Sequence, residues 1–594
     1  MNQKIKTIAY QLSNLAHKQL TIKERDYLVL IIDHLFCDLE LGHSCSKLSA
    51  IQIKVPLKQM MNVLERSGLV AVFNQIPDKL QLKPITLLKL APDNLLYITK
   101  YLHYELHIAK NVSRLANSQL WHNTFNPIND NCYNKCVTIL EQARINYDMP
   151  NTDQLLAIKN SIKSRINFIT GGPGTGKTTT VTLLLWLIYQ LYGNECIVHI
   201  CAPTGKAAKR VKESILNGID FFLERKLPFD CSTLANLLND NNNFSTIHKL
   251  LGFMRNSIYF KYNKDNPLKA DILIIDESSM VGLALFSKLL DALDYSQIKH
   301  VIFLGDRNQL SSVENGYVFA SLIEGSLSGK DYDLFTSGNY YANNISQLTI
   351  SKRNAGDIEI LSNAILNNDL PRLESVLTSS ATVTLINPSL SNILMYYLTV
   401  NEYSLKDYLD YILSTEICDY GILLDKFNKQ SLLCLTNVGL LGSINLNAQI
   451  EKKIGRILKT SSLWYTGRPI LILENDYSLG LFNGDIGICI VESGRTHVLF
   501  SNGKKFIPEV LPQYQLAYAI SIHKSQGSEY DAVNIVLPQI VAQDELAILS
   551  RELIYTGVTR AKKVVNLFST LPIIYQAVNK VTQRNTGLGQ FLEL

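Results

Sequence analysis

Residues 170–178 constrain this chain more than any other part of its sequence. They read Thr-Gly-Gly-Pro-Gly-Thr-Gly-Lys-Thr and fit the pattern G-x-x-x-x-G-K-[ST]. Glycines let the backbone turn so that successive N–H groups point at phosphate oxygens, and the helix that follows adds its positive N-terminal end. In this pattern Lys177 reaches the β- and γ-phosphates, and the Thr178 hydroxyl holds Mg²⁺. The segment therefore predicts a site for a nucleoside triphosphate.

The sequence on either side has the context that this pattern requires. The apolar run 166–170 predicts a buried strand that leads into the loop, and a helical pattern begins at Thr179. A glycine-rich turn that matches by chance is the alternative, and the strand and the helix argue against it. The candidate nucleotide-binding residues of the loop are Gly171, Gly172, Pro173, Gly174, Thr175, Gly176, Lys177, Thr178 and Thr179.

Length and composition set wide limits. The chain has 594 residues, which gives room for about three or four domains. Its net charge of +5 argues neither for nor against nucleic acid. The N-terminus lacks the apolar core of a signal peptide, and the longest apolar stretch, residues 181–192, is too short to cross a bilayer. We therefore expect a soluble, cytoplasmic protein with no membrane partner.

The ten cysteines are scattered along the chain. Cys132 and Cys136 form a C-x-x-x-C pair, but no second pair has the spacing of a zinc ribbon. Reduced thiols in an intracellular protein are the favoured interpretation. A metal site that uses Cys132 and Cys136 stays open as the alternative.

Hydrophobic patterning divides the chain into three regions. Residues 1–112 carry no nucleotide motif, and helical spacing of leucine and isoleucine predicts a mainly helical domain that docks a partner or simply packs on the rest. Residues 113–360 and 361–594 alternate apolar runs with helical patterns, which predicts two α/β domains with parallel sheets. The predicted helices of the first region are 8–20, 27–41 and 95–109; the predicted strands are 166–170, 197–202, 272–275, 300–304, 431–436, 516–521 and 532–537.

A different pattern interrupts the second α/β region at about residues 460–510. Short β-rich runs there alternate with turn signals such as Phe-Asn-Gly-Asp and Ser-Asn-Gly. This alternation is typical of a small β-barrel inserted between two strands of a larger sheet.

Acidic and amide side chains follow two of the predicted strands. Asp276 and Glu277 come directly after the run 272–275. In a P-loop enzyme such an acid completes the Mg²⁺ shell, which suits Asp276, and Glu277 would act as general base for the attacking water. Gln309 follows the next run within Gly-Asp-Arg-Asn-Gln, where it could contact the γ-phosphate or its water. Each cluster alone is common, but their order after the P-loop is a strong signal.

In this order the motifs resemble those of superfamily 1 helicases. Residues 202–208, Ala-Pro-Thr-Gly-Lys-Ala-Ala, resemble motif Ia, and residues 246–252, Thr-Ile-His-Lys-Leu-Leu-Gly, resemble motif Ib. Residues 519–530 and 555–562 resemble motifs V and VI. The pair Asp153-Gln154 resembles the Q motif, in which a glutamine amide pairs with adenine. The resemblance implies that Gln154 reads ATP and that ATP and Mg²⁺ are the cofactors.

Within that superfamily, several segments resemble the RecD group, the alpha subunit of exodeoxyribonuclease V. These segments include 467–469, 481–487 and 523–531. The resemblance implies two RecA-like motor domains with an SH3-like barrel as the insert, and 5′→3′ movement on single-stranded DNA. It also implies a heterotrimer with two larger subunits, of the RecB and RecC type, that acts on duplex DNA ends in double-strand break repair, recombination and DNA degradation. We identify no nuclease acid cluster in this chain, so cutting would belong to a partner.

The resemblance also implies roles for single residues. Arg353 and Arg560 resemble the two arginines that approach the γ-phosphate from the second motor domain, although Arg353 also suits a surface ion pair. Lys352 and Asn354 depart from the family, which often has aromatic residues beside this arginine. The residues implied to face DNA are Thr204, Lys206, Thr246, His248, His523 and Ser525, with a core role as the alternative for both histidines.

Two other interpretations of the whole chain stay open. A stand-alone superfamily 1 helicase that acts on DNA or RNA would carry the same motifs, and its substrate and partners would distinguish it. An ATP-inactive scaffold subunit would keep the fold. The presence of Lys177, Asp276, Glu277, Gln309 and Arg560 argues against that scaffold.

Overall fold

The secondary structure forms two parallel sheets, one antiparallel sheet and one mixed sheet. The structure is a computed structural model, and it describes residues 3–16, 20–51, 55–90, 93–116, 130–230, 234, 243–254, 257, 259–312, 314–327, 344–350, 356–400, 403–414, 419–476, 478–492, 494–538 and 548–592. The predicted α/β architecture with parallel sheets is confirmed.

The first α/β unit is a six-stranded parallel sheet that is buried on both faces. Along the strand Ile272–Ile275, alternate side chains enter two different core clusters, which explains why the strands read as continuous apolar runs. In spatial order the strands are Ile345–Leu348, Ile166–Gly171, His300–Gly305, Ile272–Ile275, Val198–Ala202 and Phe244–Thr246. The helices are Asp130–Tyr147, Thr152–Lys163, Lys177–Tyr192, Gly205–Glu224, Ile247–Leu250, Leu283–Asp291 and Val318–Leu327.

The second α/β unit is a five-stranded parallel sheet. In spatial order its strands are Val383–Ile386, Ala561–Phe568, Tyr530–Val536, Gln430–Cys434 and Ala519–Ser521. Its helices are Asp357–Asn367, Leu370–Ser379, Leu390–Met395, Lys406–Leu413, Tyr420–Phe427, Ser443–Ile457, Arg551–Val558 and Leu571–Asn579. The last helix of the described chain, Leu588–Phe591, packs on the first unit.

A five-stranded antiparallel sheet interrupts the second unit where an insert was predicted. Its strands, in spatial order, are Lys505–Phe506, Arg495–Phe500, Ile486–Glu492, Pro469–Ile472 and Tyr514–Leu516. The single strand predicted at 516–521 is therefore wrong, because the chain leaves this antiparallel sheet at Leu516 and enters the parallel sheet at Ala519. We call this sheet the antiparallel insert.

The N-terminal region combines helices with a four-stranded sheet that the sequence did not predict. Its helices are Gln3–Asn14, Ile22–Glu40, Leu57–Arg66 and Thr99–Ala116, and its strands, in spatial order, are Ser46–Lys47, Asn94–Ile98, Ile85–Lys89 and Val70–Phe73. The predicted helix 95–109 is wrong at its start, because residues 95–98 belong to a strand whose alternate side chains enter two different cores. The helix Thr99–Ala116 packs on Leu283–Asp291, so the region shares a core with the first unit.

Glu105, in the middle of that helix, is a buried carboxylate with four hydrogen-bond donors around it. The Ser44 hydroxyl, the Tyr97 hydroxyl (2.8 Å), the Thr586 hydroxyl (2.6 Å) and the Gly587 N–H (3.1 Å) donate to it. Burial raises the pKa of Glu105, although these hydrogen bonds act against that rise. Glu105 therefore joins the N-terminal region to the end of the chain.

Replacing Glu105 by alanine should leave these four donors without an acceptor. We expect the free energy of unfolding to fall by about 3 kcal/mol, measured as a lower urea midpoint by circular dichroism. The matched control is Glu224→Ala at the exposed end of the helix Gly205–Glu224, which should change stability by no more than about 0.5 kcal/mol. Equal midpoints for the two variants would contradict the assigned role of Glu105.

Candidate nucleotide cleft and DNA channel

The P-loop connects the strand Ile166–Gly171 to the helix Lys177–Tyr192. Gly174 and Gly176 have φ angles of 79° and 80°, in the left-handed region that favours glycine. The Lys177 ammonium donates to the carbonyl oxygens of Gly171 (2.6 Å) and Gly172 (3.1 Å). The loop thus holds Lys177 over the place where its predicted phosphate ligands would bind.

Gln154 braces the P-loop from the neighbouring helix, Thr152–Lys163. Its amide oxygen accepts from the Asn151 N–H (3.0 Å), and its amide nitrogen donates to the Thr175 carbonyl (3.2 Å). A Cβ at Gly176 would lie 2.1 Å from that nitrogen, which adds a steric reason for glycine there. The predicted pairing of Gln154 with adenine stays a prediction, since these bonds engage its amide with backbone.

Asp276 and Glu277 lie at the carboxyl end of the strand Ile272–Ile275 and face the P-loop. Burial, followed by the negative charge of Glu277, raises the pKa of Asp276 to about 6, and the Lys177 charge opposes the rise. Glu277 has a φ of 51°, a left-handed conformation that costs energy in a residue with a Cβ. A crowded carboxylate of this kind fits a divalent cation, so Thr178 and Asp276 suit the predicted Mg²⁺ site.

Asp306 connects the two α/β units behind Gln309. The Gln309 amide (3.2 Å) and the Tyr555 hydroxyl (3.0 Å) both donate to the same oxygen of this buried carboxylate. Burial raises the pKa of Asp306. It also raises the pKa of Tyr555, well above its ordinary value. A Cβ at Gly172 would lie 3.1 Å from the Tyr555 hydroxyl, so the second unit also closes on the P-loop.

Two more hydrogen bonds join the two units at Leu310, the residue after Gln309. The Leu310 N–H donates to the Thr556 hydroxyl, and the Gln526 amide donates to the Leu310 carbonyl, both at 2.9 Å. Across the same cleft, Arg210 forms an ion pair with Glu529. Sequence reasoning missed Tyr555, Gln526 and Arg210 as contacts, although the first two lie within segments that resembled helicase motifs.

Arg560 enters the nucleotide cleft from the second unit. Its guanidinium donates to the carbonyl oxygens of Thr556 (3.1 Å) and Ser528 (3.3 Å), which fixes its direction. The other arginine predicted for this role, Arg353, lies outside the described residues, as do Lys352 and Asn354.

The nucleotide cleft has a volume of about 340 Å³ and lies between the two units. Thr175 and Gly171 belong to the loop but not to the cleft wall, and the Thr175 hydroxyl donates to the Gly172 carbonyl (2.8 Å). The predicted residues that line the cleft are Gln154, Gly172, Pro173, Gly174, Gly176, Lys177, Thr178, Thr179, Asp276, Glu277, Gln309 and Arg560.

A larger channel of about 940 Å³ runs beside this cleft, between the units, the antiparallel insert and the N-terminal region. The predicted DNA-facing residues on its wall are Thr204, Lys206, Thr246, His248 and His523. Ser525 is not among them, because it is buried and its hydroxyl donates to the Ile522 carbonyl (2.6 Å). Burial lowers the pKa of His248 and of His523, which favours neutral rings.

The two cysteines with a possible metal spacing, the half-buried Cys132 and the buried Cys136, make the contacts of ordinary thiols. Cys132 donates to the Gln190 carbonyl (3.6 Å), and burial raises the pKa of Cys136 to about 11. Among the described residues, no group of three or more histidine, cysteine or acidic side chains is arranged to hold a metal ion. In the same part of the chain, no helix combines the length and apolar character needed to span a membrane.

Comparison with known proteins identifies both units. Residues 154–315 match the family described as an AAA domain, and residues 516–568 match the UvrD-like helicase C-terminal domain. The RecBCD enzyme subunit RecD of Haemophilus influenzae is 35% identical over 476 residues, which cover 74% of this chain and 72% of that protein. RecD of Buchnera aphidicola subsp. Schizaphis graminum is 31% identical over 75% of this chain and 77% of its own. A solved Pif1 helicase structure aligns over 73% of this chain and 94% of its own at 18% identity, with a TM-score of 0.37.

A P-loop cleft between two parallel α/β units, one matched to an AAA domain and the other to a UvrD-like helicase C-terminal domain, defines the class of the protein. It is an ATP-dependent DNA helicase of superfamily 1. More narrowly, the chain belongs to the RecD family.

The cleft raises the folded-state pKa of Asp276 from 3.8 to about 6, so stability falls as the pH rises from about 4 to about 6, and the loss is complete above that range. At pH 7, Asp276→Asn should therefore stabilise the nucleotide-free protein by about 2 kcal/mol and abolish Mg²⁺-dependent ATP hydrolysis. Thermal unfolding and phosphate release check the two effects. The control Asp271→Asn, at the other end of the same strand, loses the ion pair with Lys299 (2.8 Å) and should destabilise. An inactive but less stable Asp276→Asn variant would contradict this prediction.

Proposed function

We propose that this chain couples ATP hydrolysis to 5′→3′ movement along single-stranded DNA, as one subunit of a helicase–nuclease complex. The observation that carries the proposal is the position of Gln309, which lines both the nucleotide cleft and the channel. Its neighbours Asp306 and Leu310 hold the second unit through Tyr555, Thr556 and Gln526. A change at the γ-phosphate would therefore reach the DNA-binding wall through one short turn.

The side chains around the cleft suit phosphoryl transfer to water. Lys177 would exchange its two carbonyl partners for phosphate oxygens, and Thr178 and Asp276 would hold Mg²⁺. When bound, Mg²⁺ would neutralise charge on the phosphate oxygens. Glu277 would accept the proton of the attacking water, and Gln309 would orient that water.

Arg560 would supply the charge that closes the cleft. It reaches the cleft from the second unit and is fixed by two carbonyl contacts, so its guanidinium is preorganised for the charge that develops on the γ-phosphate. Loss of that phosphate would remove the attraction between the units. The cleft would then reopen, and repeated closure and opening would move the strand.

The channel wall suits a nucleic-acid backbone rather than a base sequence. Thr204 and Thr246 offer hydroxyls, Lys206 offers a cation, and the two neutral histidines offer ring nitrogens. Such groups contact phosphate and sugar, so movement should tolerate any sequence. For the nucleotide cleft, resemblance alone supports a second arginine, Arg353, which would contact the γ-phosphate together with Arg560.

We further propose the assembly and location that the RecD relatives suggest. The relatives are named as subunits of the RecBCD enzyme, so partners of the RecB and RecC type, a duplex DNA end and the cytoplasm are the proposed context. The N-terminal region, residues 1–112, would dock a partner. The antiparallel insert would form the SH3-like barrel between the two halves of the second motor domain.

Strand separation on three tailed duplexes tests the proposal. The purified chain is given ATP and Mg²⁺ at low salt, where phosphate contacts are strongest, with a 5′ DNA tail, a 3′ DNA tail or a 5′ RNA tail. We expect unwinding from the 5′ DNA tail alone. Lys177→Ala should abolish it without unfolding the chain, because it removes the ammonium that neutralises the phosphates.

The other outcomes separate the alternatives. Unwinding from the 3′ or the RNA tail would contradict the proposed polarity or substrate and favour a stand-alone helicase of another type. Full activity of Lys177→Ala would contradict the P-loop assignment. DNA binding without ATP hydrolysis, alone and with the larger subunits added, would favour an inactive scaffold.

A further inference from the structure

Residues 580–592, which we call the C-terminal strap, leave the second α/β unit and end on the other side of the molecule. The start of the strap is fixed on the second unit. The Lys580 carbonyl accepts from the Arg551 N–H (2.8 Å). The N–H and the hydroxyl of Thr582 both donate to the Glu552 carboxylate, at 2.9 and 2.7 Å.

The far end of the strap is fixed on the N-terminal region and the first unit. The Asn585 N–H donates to a ring nitrogen of His43 (2.7 Å), and the Asn585 carbonyl accepts from the Ser44 N–H (3.0 Å). Beyond Thr586 and Gly587, which donate to Glu105, the strap ends in apolar side chains that are buried in the shared core. These side chains are Leu588, Phe591 and Leu592.

Between these two anchors the strap forms part of the channel wall. Thr582 and Arg584 both line the channel, on the side where Glu40 and Leu41 of the N-terminal region also line it. The Arg584 guanidinium donates to the carbonyl oxygens of Gly316 (2.9 Å) and Glu314 (3.1 Å). A Cβ at Gly42 would lie 2.6 Å from its central carbon, so the guanidinium lies against the Gly42 backbone.

Arg584 carries a positive charge that no carboxylate neutralises within the described part of the chain. Arg584 takes part in none of the ion pairs found there, and its Nε is buried without a hydrogen-bond partner. The Glu552 carboxylate of the channel wall accepts from Thr582, and Glu314 offers Arg584 its backbone carbonyl. The charge of Arg584 also lowers the pKa of His523, after the larger effect of burial. The guanidinium is therefore held in place beside a predicted DNA-facing residue.

We propose that Arg584 binds a backbone phosphate of the single strand in the channel, and that the strap serves to position it. Both carbonyl contacts are made by one terminal nitrogen, Nη1, and Nε is buried, so the other terminal nitrogen, Nη2, is the donor that a phosphate oxygen in the channel would suit. This inference rests on the proposed function of the channel as the DNA path. It makes the strap a DNA-binding element that is anchored to both units at once.

The test compares Arg584→Gln with Arg584→Lys in the full chain. Binding of a fluorescent oligo-dT strand is followed by anisotropy over a series of salt concentrations. Arg584→Gln removes the charge and should weaken binding about tenfold at low salt. It should also make the slope of log K against log salt less steep by about 0.7. Arg584→Lys keeps the charge and should keep the slope, although it loses the carbonyl contacts.

The matched control is Arg551→Gln. Arg551 also donates to two carbonyl oxygens, those of Val578 and Leu366, but it does not line the channel. Its replacement should leave the affinity and the slope unchanged. Phenylglyoxal labelling of the wild-type chain, read by peptide mass, gives a second test that does not depend on the fold of a variant: oligo-dT should protect Arg584 from modification.

An unchanged slope in Arg584→Gln, or no protection of Arg584, would overturn the inference. Lys206→Ala distinguishes this failure from failure of the channel itself. If Lys206→Ala makes the slope less steep while Arg584→Gln does not, only the role of Arg584 is wrong. If neither changes the slope, the channel is not the DNA path, and the proposed function fails with the inference.

Discussion

The hydrogen bond from the Tyr555 hydroxyl to the Asp306 carboxylate holds together the parts of this motor that must move. Asp306 follows the strand His300–Gly305 of the first sheet, and Tyr555 lies on the helix Arg551–Val558 of the second unit. Both groups are buried, so a broken bond would leave the Tyr555 hydroxyl, a buried donor, without its acceptor, which is costly. The same turn places Gln309 against the nucleotide cleft and the channel. Contact between the units and the lining of both cavities therefore depend on one short segment.

The nucleotide cleft keeps two features that cost stability. Glu277 adopts a strained backbone conformation, and Asp276 has a raised pKa beside it. Lys177 is turned onto carbonyl oxygens of its own loop. A divalent cation beside Asp276 would relieve its raised pKa, and phosphate oxygens would take the place of the carbonyl partners of Lys177. Catalytic sites commonly trade stability for preorganisation in this way.

Much of the architecture could be predicted because the signal is local. The buried strands of the parallel sheets are continuous apolar runs, and the predicted site residues come after such runs, Asp276 directly and Gln309 one short turn later. The strand at residues 94–98 was missed because its apolar residues also fit helical spacing. Only the folded structure shows that alternate side chains enter two different cores, which is the two-residue period of a strand. The chain passes from the antiparallel insert to the parallel sheet between Leu516 and Ala519, and no local sequence signal indicates this change either.

The contacts that assemble the site could not be predicted, because their partners are far apart in the sequence. Tyr555 and Asp306, Arg210 and Glu529, and the Glu105 contacts with the strap all join residues that no pattern relates. Ser525 shows the converse case, a residue that the motif predicted to face DNA but that packing excludes. Its hydroxyl points into the protein and donates to the Ile522 carbonyl. Sequence spacing fixed which residues form the motif, and packing decides which of them reach the channel.

The most direct measurement is the ratio of ATP hydrolysis rates with and without single-stranded oligo-dT, compared between the wild-type chain and Tyr555→Phe. The substitution removes only the hydroxyl that donates to Asp306 and keeps the ring. Coupling through this junction predicts that acceleration by DNA falls about tenfold, the loss expected for one hydrogen bond to a buried carboxylate. Undiminished acceleration in Tyr555→Phe would contradict the claim that the two cavities communicate through Asp306 and Gln309.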